Sequence, residues 1–377
     1  MSKVLISVHM GRHFTKFGQS DLETLLEMGH EVHIAANFRG SLDHYNDDRV
    51  VKHQIDFSRN PFSFNNIRAF IQMKSILMRE NFSLVHTQSP SGGAITRLAL
   101  NSCKDIINTK VIYTAHGFHF YKGASWIAWN LFFPIEKHLS KNTDLCITIN
   151  EEDYVLARTK MFFNKVVKVN GVGIDIHKIM FNKPKDDIIL EKLRNEFSIK
   201  SEDYVMIYVA ELSRRKNQIF LINQIKKMNI SKRIKLLLVG TGNKENEYRK
   251  LINKEHLSDR VLLLGQRNDI SNLLTIADLY VSSSKQEGLP LSVMEAMSMG
   301  LPLLLSNVRG NSDLVSEGEN GYSFYLDKKN DFETKLNILM ESGKHDTYGK
   351  KSRDLSSKYH ESVIRESMKA IYSELTN

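Results

Sequence analysis

An alternation of short apolar runs with helix-period segments, played out twice along the chain, limits the fold more than any other feature. In the first half, runs at 3–8, 31–36, 50–56, 83–87, 110–115, 144–149 and 165–169 read as strands. Helical patterns lie between them at 20–28, 64–79, 93–100, 126–139 and 152–158, with Ile67, Phe70, Ile71 and Ile76 on one side of the second. The second half predicts strands at 204–210, 234–239, 260–264, 279–282, 302–305 and 322–324. Its helices are expected at 217–228, 244–256, 270–276, 291–299 and 332–340. Strands that alternate with helices build parallel sheets covered on both faces, and such sheets bind ligands outside the carboxyl ends of their strands.

Two series in 377 residues predict two Rossmann-like domains. The polar stretch 177–203, with Pro184, reads as the linker, and Gly171 and Gly173 just before it suit a tight crossing. Expected limits are 1–177 for the first domain and 178–357 for the second, with an amphipathic segment (Val363, Ile364, Met368, Ile371) inside 358–377. The net charge of +9 is spread over both halves, which argues against a nucleic-acid arm and is compatible with diphosphate ligands or an anionic membrane. Cys103 and Cys146 form no metal or redox motif and read as small core residues in a reducing cytosol. The apolar run at 4–8 is too short for a signal peptide, and no run is long enough to span a membrane, so a cytoplasmic protein is expected.

Strand ends then show where chemistry belongs. Glu287-Gly-Leu-Pro follows one strand and opens a helix carrying Glu295, with Gly300 and Pro302 stopping it. The first N–H groups of that helix, near Leu291, make an anion site, and two flanking carboxylates suit the hydroxyls of a sugar. Arg214, Arg215 and Lys216 follow another strand end, and cations beside a helix start suit a diphosphate. His116 lies just past a third strand end, where it is placed to hydrogen-bond a ligand. Gly11 follows the first strand and would let backbone N–H groups approach a phosphate, although the full three-glycine dinucleotide fingerprint is absent there and at Gly240.

The string 287–302 resembles the paired-glutamate segment of retaining glycosyltransferases of family four, which have two Rossmann-like domains facing a central cleft (the GT-B architecture). The string 114–123 resembles the family's histidine segment, 210–217 its capsule and exopolysaccharide members, and 121–139, with Pro134-Ile-Glu-Lys, its exopolysaccharide members. The resemblance implies that Glu287, Gly288, Leu289 and Pro290 hold the donor sugar and Glu295 the ribose. It implies that Lys216, with Arg214 or Arg215, Gly11 and Leu291, holds the donor diphosphate. Glu211 stands where the family carries an arginine. Arg267 falls in the loop that contacts the base, and His116 beside the transferred sugar makes it, with Glu287, a catalytic candidate. The last helix is expected to cross back onto the first domain. No Asp-x-Asp motif is present. A metal-independent mechanism is therefore expected, in which cations and helix dipoles stabilise the leaving diphosphate opposite an oxocarbenium-like sugar.

The implied activity is transfer of a hexose or N-acetylhexosamine from a UDP-sugar to an undecaprenyl-diphosphate-linked glycan in capsule, exopolysaccharide or O-antigen synthesis, at the inner face of the cell membrane. Two rivals are a nucleotide-sugar epimerase of the same fold and a non-catalytic partner of a polysaccharide assembly complex. Two stretches are candidates for peripheral membrane contact. One is 121–139, with Trp126, Trp129, Phe132 and Phe133 among lysines; the other is 59–79, with Arg68, Lys74 and Arg79 along an apolar helix. Each reads equally well as an ordinary core helix.

Overall fold

The computed structural model describes residues 2–40, 44–60, 62–176, 179, 187–228, 234–341 and 343–376. The chain forms two compact units, Met1–Gly173 with Glu361–Asn377, and Ile174–His360.

The first unit is built on strands β1 (Lys3–Met10), β2 (Glu31–Asn37), β3 (Val51–Gln54), β4 (Leu84–Thr87), β5 (Lys110–Ala115), β6 (Leu145–Thr148) and β7 (Lys165–Lys168). They form a parallel sheet in the order β3-β2-β1-β4-β5-β6-β7. Val4 to Val8 of β1 are wholly buried, as a central strand covered on both faces requires. The order reverses between β1 and β4, which opens a crevice at their carboxyl ends. The helix Glu361–Thr376 returns to this unit. Its Ile364, Met368, Ile371 and Tyr372, spaced for one helical face, are buried against Val4, Leu25, Ile34 and their neighbours. Where that helix begins, a Cβ on Gly173 (φ +85°) would sit 2.7 Å from the Cα of Glu361, so this close approach needs a glycine.

The second unit carries β8 (Tyr204–Val209), β9 (Ile234–Val239), β10 (Val261–Gly265), β11 (Leu279–Ser282), β12 (Leu303–Ser306) and β13 (Gly321–Phe324). They too are parallel, in the order β10-β9-β8-β11-β12-β13, with the reversal between β8 and β11.

Several elements differ from expectation. The segment 126–139 is not one helix but a π-helical turn, Ala128–Phe132, followed by an α-helix, Phe133–Leu139. Pro134 lacks an N–H, so it belongs in a first turn. Pro90 likewise starts the fourth helix, Pro90–Ser102, earlier than the apolar pattern does. Helices Arg12–Lys16 and His345–Ser356 carry too few apolar residues to announce themselves. The expected linker contains the helix Asp187–Glu196, while its residues 177, 178 and 180–186, with Pro184, lie outside the described residues. Among the described residues, no helix is long and apolar enough to cross a membrane.

Candidate active site

In the second unit, the loops leaving β8 and β11 flank the reversal point of the sheet. They are stitched together. Lys285 N–H donates to the Arg215 carbonyl at 2.9 Å. Asn217 Nδ2 donates to the Ser283 carbonyl at 3.0 Å, and Ser283 Oγ returns a bond to the Asn217 carbonyl at 2.9 Å. Asn217 takes a left-handed conformation (φ 58°), which asparagine tolerates better than most residues. The Gly240–Gly242 turn packs against the same loop. A Cβ on Gly242 would lie 2.3 Å from the Leu212 carbonyl oxygen, so these glycines serve close backbone approach.

This stitching brings Glu287 against the cations. Its carboxylate, 6% exposed, accepts from Lys216 Nζ at 2.5 Å, from Arg215 Nη1 at 3.1 Å and from the Ser284 hydroxyl. Tyr208 OH stands 2.8 Å from Ser284 Oγ and donates to the Lys216 carbonyl at 3.2 Å. Burial, then the nearby Glu287 carboxylate, pushes the Tyr208 pKa up, so the phenol keeps its proton. From below, Arg309 Nε donates to the Glu287 carbonyl at 3.0 Å. Two cations face one carboxylate, so the cluster keeps a positive excess. The helix Leu291–Ser298 starts four residues on from Glu287, with Pro290 as its N-cap and without a side-chain cap. Its dipole and first N–H groups add to that positive end. The arrangement can hold a diphosphate through Lys216, Arg215 and the helix start, with carboxylates to receive hydroxyls.

The remaining residues of this set fall nearby or apart. Gly288 and Leu289 are half-buried and Pro290 is buried in the same loop. Leu291 begins the helix, and half-buried Glu295 follows one turn later. Arg214 is exposed on the β8 loop. Arg267, past the end of β10, spends its guanidinium on Asp269 at 2.7 and 2.8 Å and on Glu196 at 3.1 Å. Its side chain is thus already engaged by two acids.

In the first unit, the ends of β1, β4 and β5 gather His13, Gln88 and His116. His116 is half-buried, its Nε2 lies 3.4 Å from Gln88 Oε1, and its ring centre is 5.6 Å from that of His13. Burial, then His13, lowers the His116 pKa to about 3, so the imidazole is neutral at pH 7. Gly11 directly follows β1. Its N–H donates to the Asn37 carbonyl at 3.0 Å, and its φ of −59° is open to any residue. That N–H is committed to joining β1 to β2. Among the described residues, no group of three or more His, Cys, Asp and Glu side chains could hold a metal ion.

Residue-type reasoning missed Tyr208, Ser284, Arg309, His13 and Gln88. Their shared signal is position at or just past the carboxyl end of a strand, the same rule that singled out Lys216 and His116.

Comparison with known proteins agrees with the architecture. The family described as "Glycosyl transferases group 1" matches residues 190–356, and "Glycosyltransferase Family 4" matches residues 22–177. The chain is 32% identical to EpsD of Bacillus subtilis over 375 residues, covering 98% of this chain and 96% of that one. It is 27% identical over 326 residues to the Escherichia coli UDP-Gal:alpha-D-GlcNAc-diphosphoundecaprenol alpha-1,3-galactosyltransferase, covering 85% and 82% of the two chains. The structure of HepE from Anabaena, solved with UDP-glucose, superposes with a TM-score of 0.77 at 16% identity over 99% of this chain and 100% of that one. Two doubly wound parallel units, both family matches and near-complete coverage of a relative above 30% identity place this chain among the family four, group 1 glycosyltransferases of GT-B fold.

Proposed function

We propose that this glycosyltransferase moves a hexose or N-acetylhexosamine from a UDP-sugar to a lipid-diphosphate-linked glycan, with retention of configuration, in synthesis of a capsule, exopolysaccharide or O-antigen. The unit Ile174–His360 serves the donor and the other unit the acceptor. The observation that carries the reading is the cluster of Lys216, Arg215 and Glu287 beside the start of the helix Leu291–Ser298. When the anomeric C–O bond breaks, its electron pair leaves with the diphosphate, and charge grows on the phosphate oxygens. Fixed cations and a helix N-terminus stabilise that charge more than they stabilise the ground state. Glu287 orients the sugar hydroxyls, Glu295 receives the ribose, and neutral His116 hydrogen-bonds at the reacting sugar. The loop around Arg267 serves the base through its backbone. UDP and a polyprenyl-diphosphate acceptor are supported by the E. coli relative, whose name states both.

A lipid-bound acceptor calls for a membrane-facing surface. In 121–139, Trp126 and Ile127 stay exposed, but Trp129, Phe132 and Phe133 are taken up by packing against the cluster of Phe118, Phe120 and Cys146. The helix Asn65–Glu80 differs. It buries Ala69, Met73, Ile76 and Leu77, yet leaves Ile67 and Ile71 exposed beside Phe62 (77%) and Phe64 (84%). Arg68 and Arg79 lie on the same helix, largely exposed though paired with Asp56 and Glu80, and cations at such a surface suit anionic lipid headgroups. We assign membrane contact to this helix, at the cytoplasmic face.

The test is mass spectrometry of purified protein with a panel of nucleotide sugars and lipid-diphosphate acceptors. A single glycosyl addition that needs both donor and acceptor is expected, and it is abolished in Lys216→Ala and Glu295→Ala variants that remain folded. Full activity in both variants, or conversion of the nucleotide sugar without acceptor, sinks the reading.

A further inference from the structure

The end of β4 holds an amide whose two ends are both in use. Gln88 is 2% exposed. Its Nε2 donates to Asp21 Oδ2 at 2.5 Å, while its Oε1 lies 2.9 Å from His13 Nε2 and 3.4 Å from His116 Nε2. A carboxylate only accepts hydrogen bonds, so Asp21 determines which end of the amide is which. The oxygen turned toward the two rings accepts in its turn, so each ring must carry its proton on Nε2.

The anchor is itself held from the far end of the chain. The Tyr372 hydroxyl, on the helix Glu361–Thr376, hydrogen-bonds to Asp21. It also stands 2.8 Å from His86 Nδ1, and His86 Nε2 stands 2.7 Å from Thr114 Oγ1. With Asp21 ionised, Tyr372 gives its proton to the carboxylate and accepts from His86 Nδ1–H, which leaves His86 Nε2 to accept from Thr114. That assignment spends the Nδ1 proton on Tyr372, so Gln88 Nε2, 3.4 Å from the same nitrogen, makes no hydrogen bond to it. Asp21, Thr114 and His116 line a common cavity with Ser20, Ile364 and Met368.

We infer that Asp21 and Gln88 are positioning residues, which fix His116 as the neutral Nε2–H tautomer and so leave Nδ1 as its hydrogen-bond acceptor for a substrate hydroxyl. The inference rests on the proposed role of His116 in transfer. The groups facing Asp21 are Gln88 beyond β4 and Tyr372 from the last helix, with His86 3.4 Å from the Gln88 nitrogen. Burial raises the Asp21 pKa to about 6 against the opposing effect of those two hydrogen bonds, and it lowers those of His13, His86 and His116. His86 and His116, lowered to about 3, stay neutral while the anchor titrates, so acid would disorder the His116 tautomer before it charges that ring.

The test combines ring-nitrogen NMR of the full chain with kinetics on the UDP-sugar and acceptor that turn over. In the parent protein, His116 should show the Nε2–H pattern above pH 7, and kcat should fall as pH drops through about 6. Gln88→Met should move His116 to a mixed or Nδ1–H pattern and lower kcat about ten- to a hundredfold, with the Kd for UDP unchanged. An unchanged His116 pattern in Gln88→Met overturns the inference, whatever kcat does. A changed pattern with unchanged kcat upholds the anchor and counts against the role of His116 in transfer, so the two failures are distinct. Tyr372→Phe gives a second, gentler variant. It removes one hydrogen bond that favours ionised Asp21, so the acid limb of kcat should move to higher pH. A limb that stays in place overturns the inference even if Gln88→Met fails to fold.

Discussion

In the proposed role, Glu287 both restrains the cations and orients the donor sugar. Its carboxylate engages Lys216 and Arg215, the two cations proposed to hold the diphosphate. Glu287→Gln keeps the shape but removes the charge, which frees both cations for phosphate. The expected result is UDP bound as tightly as by the parent or more tightly, with turnover reduced about a hundredfold or more because the sugar has lost its charged acceptor. Calorimetry for UDP and steady-state rates for transfer separate the two effects. Weaker UDP binding in this variant would mean that Glu287 helps the diphosphate rather than competing with it. At this scale the sequence was informative where a short local string carries the chemistry. Lys216 and Glu287 each follow a strand end closely, and Glu295 shares a string with Glu287. Ser284 and Tyr208 became site residues only because β8 and β11 are neighbours, which no local string reveals. The engagement of Gly11 N–H by Asn37 has the same cause, since it depends on β1 pairing with β2.

Among elements, the helix Asn65–Glu80 stands out because it is apolar on both sides. A helix that covers a core needs one apolar face, and a second face left open marks a contact surface. The pattern of apolar residues was legible in the sequence, but which residues faced the core was not. Helical spacing alone cannot tell Ile67 and Ile71, which are exposed, from Met73 and Ile76, which are buried. The stretch 121–139 read just as well, until Pro134 and the packing of Trp129 and Phe133 drew most of its aromatics inward. We expect the double variant Ile67→Asp, Ile71→Asp to bind phosphatidylglycerol vesicles at least about tenfold more weakly in co-sedimentation, since burial of each aliphatic side chain contributes about 1.5–3 kcal/mol at most. Transfer to a detergent-dispersed acceptor should be retained. Vesicle binding equal to that of the parent protein would remove this helix from the membrane surface, and a second copy on the same face would show as a dimer by light scattering.

For the whole molecule, the alternation in sequence foretold parallel sheets, but not the strand order. Seven parallel strands can be threaded in many ways with the same apolar runs, and the order that puts β1 beside β4 is set by which helices cover which face. The last helix contributes to that covering. Ile364, Met368, Ile371 and Tyr372 complete the core around Val4, Leu22 and Ile34, although more than 300 residues separate them in sequence. Four such side chains are worth about 6–12 kcal/mol if each contributes about 1.5–3. That is comparable with the total stability of about 5–15 kcal/mol expected of a domain. The helix is therefore a part of the first unit that the ribosome makes only after the second, and the first unit should not complete its core until the second has been made. A chain ending at His360 should keep slow amide exchange in β8 and β9, whose core lies within Ile174–His360. The amides of β1 and β2 should lose most of their protection, because the surface that covers them is gone. Hydrogen exchange read strand by strand checks this. Protection of β1 equal to that in the full chain would mean that the first sheet closes its core without the returning helix, and Tyr372 would then be spared for its contacts with Asp21 and His86 alone.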